Sequence, residues 1–337
     1  MSGGPTVLVL RALGLGDALT GLPALRALRR GLPGHRLVLA GPAALAPVVR
    51  ATGAVDGLLI TRAEVREVPG ALPWAGRPPD LAVDLHGRGP LSHRLLAGLG
   101  PGRIWAFRHP EVPEVPGPEW DAEEHERDRW CRLLRWYGLA ADPGDLGLAP
   151  PPRPSPAPGA VVLHPGADAL ARRWPPDRFA AVARALRAEG RRVVLTAGPG
   201  EEAYVHETAR RAGLPPESVR GGRHGVPFGE LCALLAGAGC LVVGDTGLAH
   251  LASALGTPSV VLFGPVSPRL WGPPADGPHR VLWHPFTADG DVSRPGDAHG
   301  VRPDPRLLRV TVDEVLAAVR DLAEASAPGR PAFRSVL

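Results

Sequence analysis

The feature that most constrains this chain is a repeated local pattern: a short, wholly apolar run, a glycine-bearing turn, then a helical segment. Its clearest instance spans residues 242–265, VVGDTGLAHLASALGTPSVVLFGP. An apolar run over 241–243 stops at Gly244-Asp245-Thr246-Gly247, an Ala/Leu-rich helical segment follows, and a second apolar run covers 259–263. Runs this short and this apolar read as strands covered on both faces, which is the signature of a parallel sheet with crossover helices. The turn then lies at the carboxyl end of a buried strand, where open α/β sheets take their ligands. Asp245 and Thr246 are good N-cap types, so the first N–H groups of the helix point outward and favour an anion.

The same pattern fills the rest of the chain. Strands are expected at 6–10, 36–40, 57–60, 81–84 and 103–107, with helices at 18–30, 90–99 and 120–137. Trp130, Leu133, Leu134 and Tyr137 recur at helical spacing and read as packing residues. A proline-rich run, APPPRPSPAPG, separates this half from one that begins again with a strand at 160–164. Helices are then expected at 177–189 and 201–213, with a strand at 192–196 between them, and an irregular Gly/Pro/Asp-rich stretch at 274–305. The last helix, 311–325, opens with Thr311 and has Glu314 three residues on, a capping box. The expected division is a first domain over 1–150, a linker over 151–158, a second domain over 159–310, and a terminal helix and tail over 311–337.

At 337 residues the length suits two cores. The chain has no Lys, Asn or Gln, so all 38 fixed cations are Arg, and the net charge is +4. That balance suits phosphate ligands or an anionic surface, while no basic cluster is dense enough for nucleic acid. Three cysteines without a CxxC point to a reducing compartment. The 12 histidines are scattered without ligand spacing, so no metal site is expected. No apolar run reaches the ~20 residues a membrane span needs, and the N-terminus lacks a signal-peptide pattern. The expected location is cytoplasmic, with at most a contact on the inner face of the membrane, and the expected state is a monomer.

A doubly wound first half invites dinucleotide binding, but the fingerprint is incomplete. Gly14 and Gly16 match two glycines of GxGxxG, Leu19 holds the third place, and 39–42 offers no acid for a ribose. Asp17 is more informative: it can cap the following helix, worth about 1 kcal/mol. It can also serve as a general base, worth roughly 10²–10⁴ in rate.

Four stretches, taken together, resemble the bacterial heptosyltransferases of glycosyltransferase family 9: LRALGLGDALTGLPALRAL, LAVDLHGRG, HPGADALARRWPPDRFAAVA and GDTGLAHLASALGTPSVVLFGP. The resemblance implies a GT-B fold, two Rossmann-like doubly wound domains facing a central cleft, with the terminal helix crossing back to the first domain. It implies transfer of a sugar with inversion from a nucleotide-linked, ADP-type donor to a saccharide or glycolipid hydroxyl, without a metal or further cofactor. Position by position, Asp17 matches the catalytic base, and Arg172 falls where relatives often have Lys, beside the donor diphosphate. Asp245, Thr246, Gly247 and His250 match the donor-binding turn. Glu201 or Glu202 matches an acid used against the nucleotide ribose, or serves only as a helix N-terminal acid. Asp84 and His86 stand on the acceptor side or in the local scaffold, and Arg173 is a further helper. One departure is Ala167-Asp168, where relatives commonly place a hydroxyl residue; a carboxylate there must turn away or pair with an arginine. Two other readings remain open at this point: a nucleotide-sugar epimerase of the UDP-N-acetylglucosamine 2-epimerase type, and a non-catalytic nucleotide-sugar-binding protein.

Overall fold

The computed structural model describes residues 4–62 and 67–325. The chain divides into two compact units, Met1–Leu148 and Ala149–Leu337. The tail after residue 325 lies outside the described residues.

In the first unit the chain runs β1 (Thr6–Leu10), α1 (Leu15–Thr20), α2 (Leu22–Gly31), β2 (Arg36–Gly41), α3 (Ala46–Thr52), β3 (Gly57–Ile60), β4 (Leu81–Asp84), α4 (Leu91–Ala97), β5 (Ile104–Trp105) and α5 (Glu126–Trp136). The five strands form one sheet in the order β3-β2-β1-β4-β5, and every pairing is parallel. The central strands are the most apolar: Val7 to Leu10 and Leu81 to Asp84 are all buried. The expected helix over 18–30 is divided at Gly21. A Cβ there would come within 2.8 Å of Arg11 Nε, and Arg11 donates to the Asp17 carbonyl that α1 also uses. The helix expected over 120–137 forms only from Glu126, and its apolar stripe packs as anticipated, with Trp130, Leu133 and Leu134 buried.

In the second unit the order is β6 (Val161–His164), α6 (Pro176–Ala188), β7 (Val193–Thr196), α7 (Glu202–Ala212), β8 (Val219–Arg220), α8 (Phe228–Ala236), β9 (Cys240–Gly244), α9 (Gly247–Leu255), β10 (Ser259–Leu262), α10 (Pro268–Trp271), β11 (His279–Leu282) and α11 (Val312–Ala325). Its six strands are again all parallel, ordered β11-β10-β9-β6-β7-β8. Phe179, Val182, Ala183 and Leu186 carry the buried face of α6 at i, i+3, i+4, i+7 spacing. Each large side chain so buried is worth about 1.5–3 kcal/mol. Strand β11 lies inside the stretch expected to be irregular. It is an edge strand of half-exposed residues, so it lacks the wholly apolar run that marks the others.

The terminal helix α11 buries Val315, Leu316, Val319 and Leu322 in the second unit's core, with Val182, Leu186 and Val260. Its capping box forms as read: Thr311 N donates to Glu314 Oε2 at 2.8 Å, and Glu314 N donates to Thr311 Oγ1 at 3.2 Å. The proline-rich run is likewise part of the second unit. Ala157 is fully buried, and Ser155 Oγ donates to the Leu234 carbonyl at 3.4 Å. Cys131, Cys232 and Cys240 are buried free thiols.

Candidate functional site

Each sheet has one point where the strand order reverses: between β1 and β4 in the first unit, and between β6 and β9 in the second. Crossovers leave in opposite directions there and open a crevice at the carboxyl ends, the usual ligand position in such sheets. The residues singled out in the sequence fall at these two places.

At the first, Asp17 stands in the first turn of α1, its side chain 27% exposed. The N-cap position of α1 is Gly14, with Asp17 three residues into the helix. Beneath it lies a residue that sequence reasoning passed over, Arg11, only 1% exposed. Its guanidinium donates to the Asp17 carbonyl, to the Leu85 carbonyl, to Thr20 Oγ1 at 3.1 Å and to Glu126 Oε1 at 3.0 Å, and it lies 3.9 Å from Asp17 Oδ1. Trp130 covers it at 4.9 Å and donates its indole N–H to Glu126 at 2.8 Å. A buried cation is tolerated only when paired and hydrogen-bonded this fully. The available signal was an Arg ending an otherwise apolar strand.

Asp84 ends β4, fully buried. Its Oδ1 accepts the His86 N–H at 2.9 Å, and its Oδ2 lies 3.4 Å from His93 Nε2. Burial raises the Asp84 carboxyl above its ordinary range, while hydrogen bonds from Ser92 and the His86 backbone pull against the rise. Burial lowers His86, with Asp84 opposing. Burial likewise lowers His93, to about 4. His86 Nδ1 accepts the Ala12 N–H at 3.2 Å, so its proton sits on Nε2. Asp84 is therefore interior scaffold, and His86 is the half-exposed member beside β1.

At the second switch point, Arg172 and the β9–α9 turn are brought together. Arg172 Nη1 donates to the Asp245 carbonyl at 3.1 Å. Gly244 permits this approach, because a Cβ there would lie 3.0 Å from the Arg172 carbonyl. Thr246 is the N-cap of α9 and its Oγ1 accepts from Leu248 N at 3.3 Å. The Thr246 and Gly247 N–H groups then have no intrahelical acceptor. His250 follows on the first turn, its ring 5.9 Å from that of Trp271. Asp168 turns outward, its side chain 75% exposed, with Oδ2 3.8 Å from Arg172 Nη2. Arg173 points elsewhere: its Nε donates to the Ala167 carbonyl at 2.8 Å and its guanidinium lies over Tyr204.

Glu201 and Glu202 separate in role. Glu201 is buried, accepts the Gly198 N–H at 2.7 Å, and lies 3.6 Å from His164 Nε2. Gly198 makes room for it, since a Cβ there would meet Oε2 at 2.9 Å. His164, also missed in the sequence, ends β6; its Nδ1 is 3.0 Å from both Thr196 oxygens, and burial lowers it against the raising effect of Glu201. Glu202 opens α7, half-exposed. Among the described residues, no group of three or more His, Cys, Asp or Glu side chains could hold a metal ion. No described helix is long and apolar enough to cross a membrane.

Two parallel Rossmann-like sheets, one per unit, are the elements of a GT-B fold. Escherichia coli ADP-heptose lipopolysaccharide heptosyltransferase II has this fold: 95% of this chain superposes on 98% of it with a TM-score of 0.73, at 21% identity. A glycosyl transferase family 9 protein from Veillonella parvula superposes equally well, TM-score 0.73 over 96% of this chain and 98% of that one, at 18% identity. Residues 149–292 match the model of glycosyltransferase family 9 (heptosyltransferase). Lipopolysaccharide heptosyltransferase 3 of Escherichia coli is 33% identical over 171 residues, 50% of this chain and 48% of the relative. The chain thus spans about half the length of the curated relatives it matches first. Its second unit is thus similar to the heptosyltransferases of glycosyltransferase family 9, the resemblance its motifs indicated.

Proposed function

We propose that this protein is an inverting glycosyltransferase that moves a heptose-type sugar from an ADP-linked donor to a hydroxyl of a saccharide or glycolipid acceptor. The observation that carries this reading is the pairing of Arg172 with the Asp245 carbonyl beside the α9 N-terminus. It sets a permanent cation next to outward N–H groups, and together these favour a diphosphate. Arg can hold two phosphate oxygens in a fork and stays charged at every working pH. As the sugar–phosphate bond breaks, charge grows on the departing diphosphate, so donors fixed at that position stabilise the transition state more than the ground state.

Asp17 is the general base in this reading. It takes the proton from the acceptor hydroxyl as that oxygen attacks the anomeric carbon from the face opposite the leaving group, and the sugar passes through an oxocarbenium-like state. The half-exposed His86 Nε2–H serves as a donor on the acceptor side, and Glu202, rather than the inward Glu201, is the carboxylate left for the ribose. The nucleotide sugar is a co-substrate, and the chemistry calls for no metal or other cofactor. The protein works in the cytoplasm, on an acceptor presented at the inner membrane face.

The test pairs binding with turnover. Calorimetric titration with ADP, UDP and GDP is expected to favour ADP, in the wild type and in Asp17→Asn alike. Release of ADP from ADP-heptose in the presence of a lipopolysaccharide-core acceptor is expected to fall by about 10²–10⁴ in Asp17→Asn. Unchanged turnover in that variant removes Asp17 from its role, and a preference for UDP or GDP overturns the donor assignment.

A further inference from the structure

We infer that Arg306 is a positioning residue for the diphosphate contact: by stapling the 289–304 segment against the turn that carries Arg172, it sets where that guanidinium sits. The inference rests on the donor role proposed for Arg172.

The turn spans Leu170–Arg172 and is held from two sides. On one side it meets Gly244 and the Asp245 carbonyl, as described above. On the other, Ala171 is gripped through both of its backbone groups. Its N–H donates to the Gly300 carbonyl at 3.0 Å, and its carbonyl accepts the Asp304 N–H at 3.1 Å. A residue adjoining Arg172 is thereby fixed to a stretch whose own sequence, rich in Gly, Pro and Asp, gives it no helix or strand to hold its shape.

What holds that stretch is Arg306. It is 8% exposed and joins two carboxylates far apart in its segment. Its Nε donates to Asp289 Oδ2 at 2.7 Å, its backbone N–H donates to Asp304 Oδ1 at 2.9 Å, and its Nη1 lies 3.3 Å from Asp304 Oδ2. The Asp289 and Asp304 side chains are themselves only 10% and 6% exposed. Phe286 lies against the guanidinium at 5.2 Å. Two glycines let the segment seat on the end of β10. A Cβ on Gly264 would come within 2.8 Å of the Leu307 Cβ, and one on Gly296 within 2.9 Å of Pro265. The planar fork of Arg can address both carboxylates at once, whereas an ammonium presents a single point charge. Loss of the staple frees Gly300 and Asp304, then Ala171, and so loosens Arg172 without touching any ligand.

A double-mutant cycle on the full chain, read as ADP affinity by calorimetry, tests this. Arg306→Ala is expected to weaken ADP about tenfold in the wild-type background. In an Arg172→Ala background it is expected to change affinity by no more than about twofold, because the group it positions is already gone. Arg306→Lys should fall between Arg and Ala. A merely structural role predicts equal losses in both backgrounds, and that result overturns the inference. Circular dichroism and melting check that each variant is folded; if Arg306→Ala is not, Asp289→Asn opens the same staple more gently and is expected to show the same non-additivity. Unchanged ADP affinity in a folded Asp289→Asn or Arg306→Ala protein also overturns it. A wild type that fails to bind ADP at all defeats the donor reading itself, before any variant is compared.

Discussion

The two units share an architecture and differ in how their switch points are furnished. In the first, ionisable groups are sunk into the core and compensated one by one: Arg11 by Glu126 and the Asp17 and Leu85 carbonyls, Glu126 by Arg129 and the Trp130 indole, Asp84 by Ser92 and the His86 backbone N–H. In the second, the β9–α9 side is made from backbone, a capped helix start and a glycine turn with one guanidinium laid across them, while the buried His164–Glu201 pair lies on the β6–β7 side. Under the roles proposed above, the contrast follows from what each has to hold. A carboxylate base needs an oriented, charge-balanced seat, and Arg11 gives Asp17 one by fixing its backbone. An anion site needs donors already aimed and unspent, which backbone N–H groups supply with little loss of side-chain entropy.

The contrast is broken most forcefully at Arg11. Arg11→Ala leaves Glu126 short of one cation and removes the wedge that divides α1 from α2. Opening a buried, paired site in this way costs about 3–5 kcal/mol, visible as a lower urea midpoint. A loss below about 1 kcal/mol would mean that water reaches Glu126 and that the cluster is not the closed interior described here. Arg11→Met fills the space without the charge and should be as harmful, since the penalty comes from the carboxylate left behind rather than from the cavity.

Arg11 also marks the limit of what the chain discloses as a string of letters. The central strands were legible because both-face burial demands apolar runs, and β1 and β4 fall on the expected residues. The GDTG turn and the Thr311 capping box were legible because a helix start is governed by neighbours a few residues away. The division at Gly21 was not: it depends on Arg11 finding Glu126, 115 residues on. The same holds for Arg306, which reads as one more charge in a polar stretch until Asp289 and Asp304 meet it. The packing of α11 is hidden for a related reason, because an amphipathic helix shows that it has a buried face and not which side chains receive it. Glu201 was legible as a helix-start acid but not as inward-facing, since part of the space for it is made by Gly166 on the turn after β6, where a Cβ would run into its carboxylate.

The second unit is probed by Arg172. Hydrogen bonds to a charged group contribute about 1.5–3 kcal/mol, so Arg172→Ala is expected to weaken ADP by one to two orders of magnitude. Asp17→Ala is expected to leave ADP affinity unchanged, which separates the two seats functionally. Arg172→Lys should recover part of the loss, because an ammonium keeps the charge but cannot form the fork. Equal ADP affinity in Arg172→Ala and wild type would remove the guanidinium from the proposed anion site and leave only the helix start to favour a phosphate, a contribution of about 0.3–2 kcal/mol.

The smallest effect separates the two buried histidines. Each lies close to a carboxylate, His93 at 3.4 Å from Asp84 and His164 at 3.6 Å from Glu201. His164 is also anchored through Nδ1 by Thr196. Burial holds His93 at about 4, with His109 adding to the fall, so the folded protein keeps this imidazole neutral where the unfolded chain, near 6.5, would bind a proton. The stability this gives is present above pH 6.5 and is lost as pH falls from there towards 4. Asp84 acts in the opposite sense: its raised carboxyl stabilises the fold when protonated, and that contribution is lost as pH rises through its folded value. Because Asp84 is present in both proteins, the melting difference between wild type and His93→Asn isolates the histidine. That difference should be greatest above pH 6.5 and shrink steadily down to about pH 4. A difference that does not vary with pH would show His93 reachable by water and protons in the folded state. The first switch point would then be as open as the second, and the distinction between a sealed seat and an open one would fail at its own centre.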